Sequence, residues 1–372
     1  MDHNDNRTNK SRVELHANYR RRRRVWTWLI SIITVAVVAV AAYSAYVYYR
    51  TKTAVDSTYD SNNQVQIKKG EFNGKKKFAV LLLGTDTGAL DRTEKAGNTD
   101  TIILAVVNPQ KKRYTLMSVP RDTMAQMVGA EQFQAEKINA AYGIGGAKMT
   151  MASVSQLINV PIKYYALVNM KGIMRLIRYV GGINIRPTLS FEYSGYVFKK
   201  NQLTHMGGGG ALAYSRMRYD DPQGDYGRQQ RQRQVITTLI KKAVSISTLT
   251  KLDSVLTSIS GNVKTNLPFK ALEEIAFNYR SSTKDVKNDY LHGHNATIDD
   301  ASYQVQSTKE LQRVSDYIRG ELGLPLMPIS NNETYQNKRN IAGGFDFSDP
   351  ATQDYTIYQN YREQNSQEED DN

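Results

Sequence analysis

The sequence contains no cysteine. Disulfide frameworks, thiolate metal sites and cysteine nucleophiles are therefore excluded. Histidine is scarce as well. Five residues, His3, His16, His205, His292 and His294, leave little room for a histidine-rich metal centre. His292 and His294 flank a single glycine, but two imidazoles without further ligands make a poor metal site. Neither a GxSxG nucleophile elbow nor an HExxH zinc motif occurs. The GGGG run at 207–210 shares its composition with phosphate loops but lacks their GK[ST] ending, so it reads as a flexible entry to the turn at 211–215. Negative charge is also in deficit: 36 acidic residues face 49 lysines and arginines, a formal net charge of +13. That balance favours an anionic partner, whether nucleic acid, a membrane surface or an anionic polymer.

The chain has 372 residues, enough for one large domain or two ordinary ones, and no internal repeat. Arg20 to Arg24 are five consecutive arginines, and the 24 residues from Val25 to Tyr48 then carry no charge. Such a stretch crosses a hydrocarbon core of about 30 Å as a helix. Trp26 and Trp28 stand at one end, and Tyr43, Tyr46, Tyr48 and Tyr49 at the other, as interfacial belts do. The apolar run is too long for the core of a cleaved signal peptide, and no convincing small-x-small cleavage site ends it. The expectation is a cytoplasmic basic segment at 1–24, a single transmembrane helix at 25–48, a polar linker at 49–76, an extracellular domain at 77–328, and an acidic tail at 329–372 whose composition predicts disorder. A domain outside the cell does not meet DNA, so nucleic acid drops out as the anion.

Within the domain, KFAVLLL (77–83), TIILAVVN (101–108) and RYTLMSV (113–119) read as strands, with a turn at Pro109 between the last two. Helical periodicity appears near 147–158, 170–180, 209–215, 227–247, 269–280 and 307–321. The mixture predicts an α/β fold, an α-β-α sandwich with helices on both faces of a central mixed sheet. The tight turn makes the third strand antiparallel to the second. One edge of the sheet then collects Asp86, Asp100, Arg121 and Asp122, with Pro120 ending the ladder. Two carboxylates and an arginine suit a metal-assisted phosphate site, because Mg2+ takes hard oxygen ligands and keeps positions for phosphate oxygens.

Residues 216–234, RMRYDDPQGDYGRQQRQRQ, hold five arginines and three aspartates. On a helix from 227, Arg228 and Gln232 fall on the same stripe as Val235 and Leu239, so both point into the body of the protein. Arg233 lies on the far side and is expected in solvent; Arg231 is ambiguous. Asp225 falls at the helix N-cap, and the free N–H groups there favour phosphate. Asp220, Asp221 and Pro222 argue for an extended 216–222, in which Arg216 and Arg218 share a face and converge on one ligand. Lys137, in KINAAYG (137–143), is a further candidate phosphate contact.

Together LLLGTD (81–86), TDTIILAVVNP (99–109), SVPRDT (118–123), KINAAYG (137–143), VGGI (180–183) and ALAYSRMR…DPQGDYGRQQRQ (211–232) resemble the LytR-CpsA-Psr family, in the family's order and over roughly residues 77–323. The resemblance implies a phosphotransferase that moves an anionic glycopolymer, of the wall teichoic acid or capsular polysaccharide type, from an undecaprenyl-pyrophosphate carrier to a hydroxyl of N-acetylmuramic acid in peptidoglycan, releasing undecaprenyl phosphate. It also implies a hydrophobic cleft for the lipid. Carried over by motif, Asp86 and Asp100 match the acidic residues around Mg2+. Arg121, Lys137, Arg216 and Arg218 match pyrophosphate ligands, and Asp225, Arg228 and Gln232 match the site end of the long helix. Asp86, Asp100, Arg121 and Arg218 are the candidate catalytic residues. One departure is Asn98, where the family often has arginine; Arg92 in the same loop is a candidate substitute. Rival readings are a polyprenyl-pyrophosphate-binding regulator, a carrier pyrophosphatase without ligation, and a structural wall protein held by its basic surface.

Overall fold

The computed structural model describes residues 59–60, 63–85, 97–243, 245 and 261–359. The expected membrane helix at 25–48, Asp86 and Arg92 lie outside the described residues. No described helix is long and apolar enough to cross a membrane.

Six strands make the central sheet: β1 (Phe78–Thr85), β2 (Thr99–Asn108), β3 (Arg113–Val119), β4 (Tyr164–Asn169), β5 (Val263–Thr265) and β6 (Asp285–Tyr290). Their spatial order is β5-β4-β1-β2-β3-β6. β1 and β2 are antiparallel, as are β2 and β3, whereas β4 runs parallel to β1 and β6 parallel to β3. The sheet is therefore mixed. The tight turn after Asn108 brings the end of β3 beside the start of β2, pairing Ile102 with Val119. The β1–β2 register shifts between Gly84 and Thr85, so the start of β2 is bulged at the same edge.

Among the described residues seven α-helices accompany it: α1 (Ala141–Leu157), α2 (Met170–Tyr179), α3 (Gly208–Arg216), α4 (Gly224–Ala243), α5 (Phe269–Asn278), α6 (Thr308–Leu322) and α7 (Asn332–Ala342). Alternation along the strands assigns the two faces. Leu81, Leu83, Leu104, Val106 and Met117 pack with Val154 and Leu157 of α1 and with Leu311, Val314 and Ile318 of α6. The opposite face is divided. Phe78, Val80 and Tyr164 pack with Ala271 of α5, whereas Ile103, Ala105 and Leu116 pack with Ile236 and Ile240 of α4. The two clusters share only the half-buried Leu82 and Val107. Helices cover both faces, as the α-β-α expectation requires.

The glycines at 207–210 are not a flexible entry. Gly208–Gly210 form the first turn of α3, and a Cβ at Gly208 would lie 2.5 Å from the Met174 carbonyl oxygen, so glycine lets α3 approach α2 closely.

Two boundaries shift. The linker expected at 49–76 is structured in its described part: Tyr59 bridges to Thr265, and Phe72 is fully buried against Phe78 and Tyr164. The tail expected to be disordered from 329 is folded through its described part, to 359. Its amides explain why. The Gln336 side chain both donates to the Tyr358 carbonyl at 2.7 Å and accepts the Tyr358 N–H at 2.8 Å. Asn340 holds Thr356 in the same two-way manner. A capping box joins Asn331 to Thr334 at the start of α7. Asparagine and glutamine carry both a donor and an acceptor, so here they bury an irregular strand of backbone without leaving it unsatisfied. A composition rule counts them only as polar.

Candidate active site

The edge where β2 begins and β3 ends carries the charge. Asp100, in the bulged start of β2, accepts a hydrogen bond from Arg121 Nη1 at 2.8 Å. Arg121 follows Pro120 at the end of β3, and its Nε lies 3.5 Å from Asp122 Oδ2 without the alignment of a hydrogen bond. Lys137 reaches the same Asp122 carboxylate at 3.8 Å, because Met124–Gln126 pairs with Ala135–Lys137 and folds the lysine back. Lys137 also stands over the Tyr303 ring, 5.1 Å from its centroid.

The second half of the site comes from α3 and α4. Arg216 is the last residue of α3, so the extended reading of 216–222 is too long by a residue at its start. Met217 then turns extended (φ −55°, ψ 135°) and is buried, whereas Arg216 and Arg218 are both half-buried. Arg218 packs against the exposed Tyr219 ring, 6.0 Å from its centroid. Asp225 is not an N-cap. It lies inside the first turn of α4 and holds side chains instead: Arg228 Nη2 at 2.6 Å and Gln229 Nε2 at 2.8 Å. The anionic side chain remains favourable there, near the positive end of the helix dipole.

Electrostatics tie the two halves together. Burial pushes the Arg228 pKa down; Asp225 opposes this, and the positive charges of Arg121 and Arg218 add to it. Arg121 goes the other way. Burial lowers its pKa, but the hydrogen bond it donates to Asp100 and the charges of Asp122, Asp100 and Asp225 outweigh it, for a net rise. Arg121, Arg218, Arg228, Asp100 and Asp225 thus share one field. Two arginine nitrogens in it are buried without a hydrogen-bond partner: Nε of Arg121 and Nε of Arg228. A buried donor with nothing to donate to costs about 1–3 kcal/mol. Gln232 lies one turn further along α4, half-buried and without a role in this network. Asp86 is beyond the last described residue of β1.

Arg233 departs from the helical-wheel reading, and Arg231, which that reading left open, proves buried. Arg233 is buried, not solvated. Its Nη1 donates to Ser118 Oγ of β3 at 2.7 Å, and its guanidinium sits over Tyr290, 5.6 Å from the ring centroid. Burial pushes its pKa down to about 10. The reason is that α4 is covered on two sides. Val235 and Leu239 pack towards α2 and α3, while Ile236 and Ile240 pack on the sheet. At 100° per residue, Arg233 falls only about 20° from Ile240. Arg231 is fully buried, with its Nε donating to the Tyr214 carbonyl at 3.0 Å and its other nitrogens held by Met217 O and the Asp221 carboxylate. It fastens the segment bearing Arg216 and Arg218 from beneath. Gly227 belongs to this anchor, since a Cβ there would collide with the Asp221 carboxylate. The DYGRQQRQR spacing could have flagged Arg231, three residues after Arg228, but not its partners.

The LytR_cpsA_psr family model matches residues 43–319. The chain belongs to that family. It is 39% identical over 300 residues to an Enterococcus faecalis protein named polyisoprenyl-teichoic acid–peptidoglycan teichoic acid transferase TagU, covering 81% of this chain and 98% of that one. Among solved structures, it resembles a Streptococcus agalactiae protein with a TM-score of 0.68 and 32% identity, over 76% of this chain and all of that one. The crystal structure of Bacillus subtilis TagU matches with a TM-score of 0.54 and 34% identity, over 68% of this chain and 100% of that one. The LytR-CpsA-Psr match ends before α7, so the amide-held segment from 331 follows the family region.

Proposed function

We propose that this LytR-CpsA-Psr protein is a phosphotransferase acting on a polyprenyl-pyrophosphate-linked anionic glycopolymer, with peptidoglycan as acceptor. The observation that carries the reading is the pair of buried N–H groups on Arg121 and Arg228 that have no hydrogen-bond partner among the described residues. A pyrophosphate diester brings two negative charges and the acceptor oxygens that such donors lack. Arg121, Lys137, Arg216, Arg218 and Arg228 hold it, and Asp225 orients Arg228. The names of the teichoic acid transferases to which the chain is similar support the same substrate class.

The lipid needs an apolar path. On the divided face of the sheet, α4 and α5 cover separate clusters, and the half-buried Leu82 and Val107 lie between them. We place the polyprenyl chain along these two side chains, with its far end near the cavity lined by Lys241 and the exposed Phe277. Mg2+ fits the donor set: Asp100 keeps part of its carboxylate exposed beyond the Arg121 contact, and hard oxygen is what the ion prefers. Asp100 with Asp86 would hold it, and the ion would neutralise charge on the phosphoryl oxygens. The chain's own residues do the rest. The arginines fix the pyrophosphate, and a carboxylate at the β2 edge takes the proton of the acceptor hydroxyl. A bond forms from the sugar oxygen to the sugar-linked phosphorus, the bond to the bridging oxygen breaks, and polyprenyl phosphate leaves. The segment 25–48 would anchor the chain with this domain outside the cell.

Arg218→Ala tests the reading in a lipid-linked transfer assay. Transfer to peptidoglycan should fall at least a hundredfold while the melting temperature stays put. Retained transfer would refute it, and free sugar phosphate in place of a peptidoglycan adduct would identify a hydrolase.

A further inference from the structure

Beside the charged centre stands an aromatic group that the phosphoryl chemistry does not use. Tyr226, in the first turn of α4, lies 4.8 Å from Tyr290, at the end of β6, and Tyr290 lies 4.0 Å from the exposed His292 (ring centroids). The group is held in place. The Tyr226 hydroxyl accepts the Gly293 N–H at 3.0 Å and donates to Gln304 Oε1 at 2.9 Å. Gln304 in turn holds the charged site, donating its backbone N–H to the Asp122 carbonyl at 2.8 Å. Tyr226 directly follows Asp225. The rings are thus one residue from the site's Asp225 along the chain and two hydrogen bonds, through Gln304, from the backbone of Asp122. Amide groups of Gln304 and Asn295 adjoin them, bonded to each other.

Rings with amides at their rim match one chemistry. A pyranose has an apolar C–H face for aromatic stacking and hydroxyl and acetamido groups for polar partners. The position says which pyranose. The proposed lipid path runs by Leu82 of β1 and Val107 of β2, whereas the aromatic group lies at β6, the outer strand on the other flank of the sheet. In phosphoryl transfer the attacking and leaving oxygens lie roughly in line through phosphorus. With the leaving lipid phosphate on the β1–β2 side, the attacking hydroxyl arrives from the side of the rings. β6 is an edge strand, so a long glycan has room to lie there.

We infer that Tyr226, Tyr290 and His292 form the acceptor-sugar subsite, binding a pyranose of the peptidoglycan glycan strand next to the hydroxyl that is phosphorylated. The inference rests on the phosphotransferase reading for its direction of attack, and its test separates the two.

The full-length chain in detergent micelles is assayed with lipid-linked polymer and a soluble glycan of alternating N-acetylglucosamine and N-acetylmuramic acid. His292→Ala removes an exposed ring without touching the charged centre. It should raise KM for the glycan about tenfold, leaving KM for the lipid donor and kcat within about twofold. His292→Phe, which keeps a ring and loses the imidazole nitrogens, should restore the glycan KM. Direct titration of the glycan against the chain without donor should show the same order of affinities. Unchanged glycan affinity in both His292→Ala and Tyr290→Leu would overturn the inference, and so would a rise in donor KM alone, which would place the polymer's own sugars on the rings. Absence of turnover in the unsubstituted chain would count against the phosphotransferase reading, while glycan titration would still decide the subsite.

Discussion

Arg231 offers the sharpest test of how the site is built. Its side chain is fully buried and the Asp221 side chain is nearly so, 8% exposed. Replacing Arg231 with Met keeps the volume and the contact with Phe191, over whose ring the guanidinium sits 5.4 Å from the centroid. It also strands the Asp221 carboxylate without its countercharge and frees the carbonyls of Tyr214 and Met217. Removing one partner of a buried ion pair typically destabilises by about 3–5 kcal/mol. For a domain of this size, that corresponds to a melting point lower by on the order of 10 °C. Urea unfolding of Arg231→Met, Asp221→Asn and the double variant should show strong coupling, with Arg231→Met costing at least about 1.5 kcal/mol less once Asp221 is neutral. Transfer activity should fall further than stability, because the loop carrying Arg216 and Arg218 loses its fastening. Destabilisation below about 1 kcal/mol, or additive single effects, would refute the view that this pair anchors the loop.

Gly227→Ala should act on the same anchor by a different route: the new methyl displaces the Asp221 carboxylate, and melting should fall by a few degrees although alanine is the better helix former. Arg121→Lys keeps the charge but loses the forked geometry that meets Asp100, so transfer should drop about ten- to a hundredfold with stability little changed. Glu333 sits fully buried, its Oε1 accepting the Gln126 N–H at 2.8 Å and its Oε2 without a partner, and burial pushes its carboxyl pKa up. A raised folded-state pKa stabilises fully below the unfolded value of about 4.3 and is lost as pH rises through the folded value. Thermal melts of the unsubstituted chain against Glu333→Gln should therefore diverge as pH rises from 5 to 8, with the glutamine variant the more stable; parallel curves would refute this. Gln336→Ala removes both bonds to Tyr358 and should loosen the segment after 350, read as faster amide exchange at Thr356 and Tyr358.

How much of this was legible in the sequence depends on how local the cause is. The turn at Pro109 and the three apolar runs located β1, β2 and β3 to within about two residues, and their order alone placed Asp100 beside Arg121, which the 2.8 Å contact bears out. The helical wheel placed Arg228 inward because Val235 and Leu239 share its stripe. The same wheel sent Arg233 to solvent, since one periodic stripe implies one buried side. α4 has two: a helix wedged between a sheet and other helices buries Ile236 and Ile240 as well as Val235 and Leu239, and Arg233 falls in line with the second pair. Nothing in a window of twenty residues announces that second neighbour.

The tail fails for a related reason. Disorder rules weigh apolar content because burying polar groups without partners is costly. From Asn331 to Tyr358 the partners exist, but they are backbone groups that only the fold brings within reach: Asn340 meets Thr356 sixteen residues away, and Asn331 meets the carbonyl of Gln156, 175 residues away. Buried polar side chains of this kind are worth little until every bond is made, so their stabilisation is cooperative and invisible one residue at a time. The arginines follow the same logic with the opposite outcome. Arg231 is buried with its partners and fastens the scaffold, and Arg233, whose Nε also lacks a partner, is tied to Ser118 and stacked over Tyr290 under the sheet; Arg121 and Arg228 each have a buried nitrogen to spare beside Asp100 and Asp225, and that spare donor at the charged edge, not the abundance of arginine in RMRYDDPQGDYGRQQRQRQ, is what marks a binding residue.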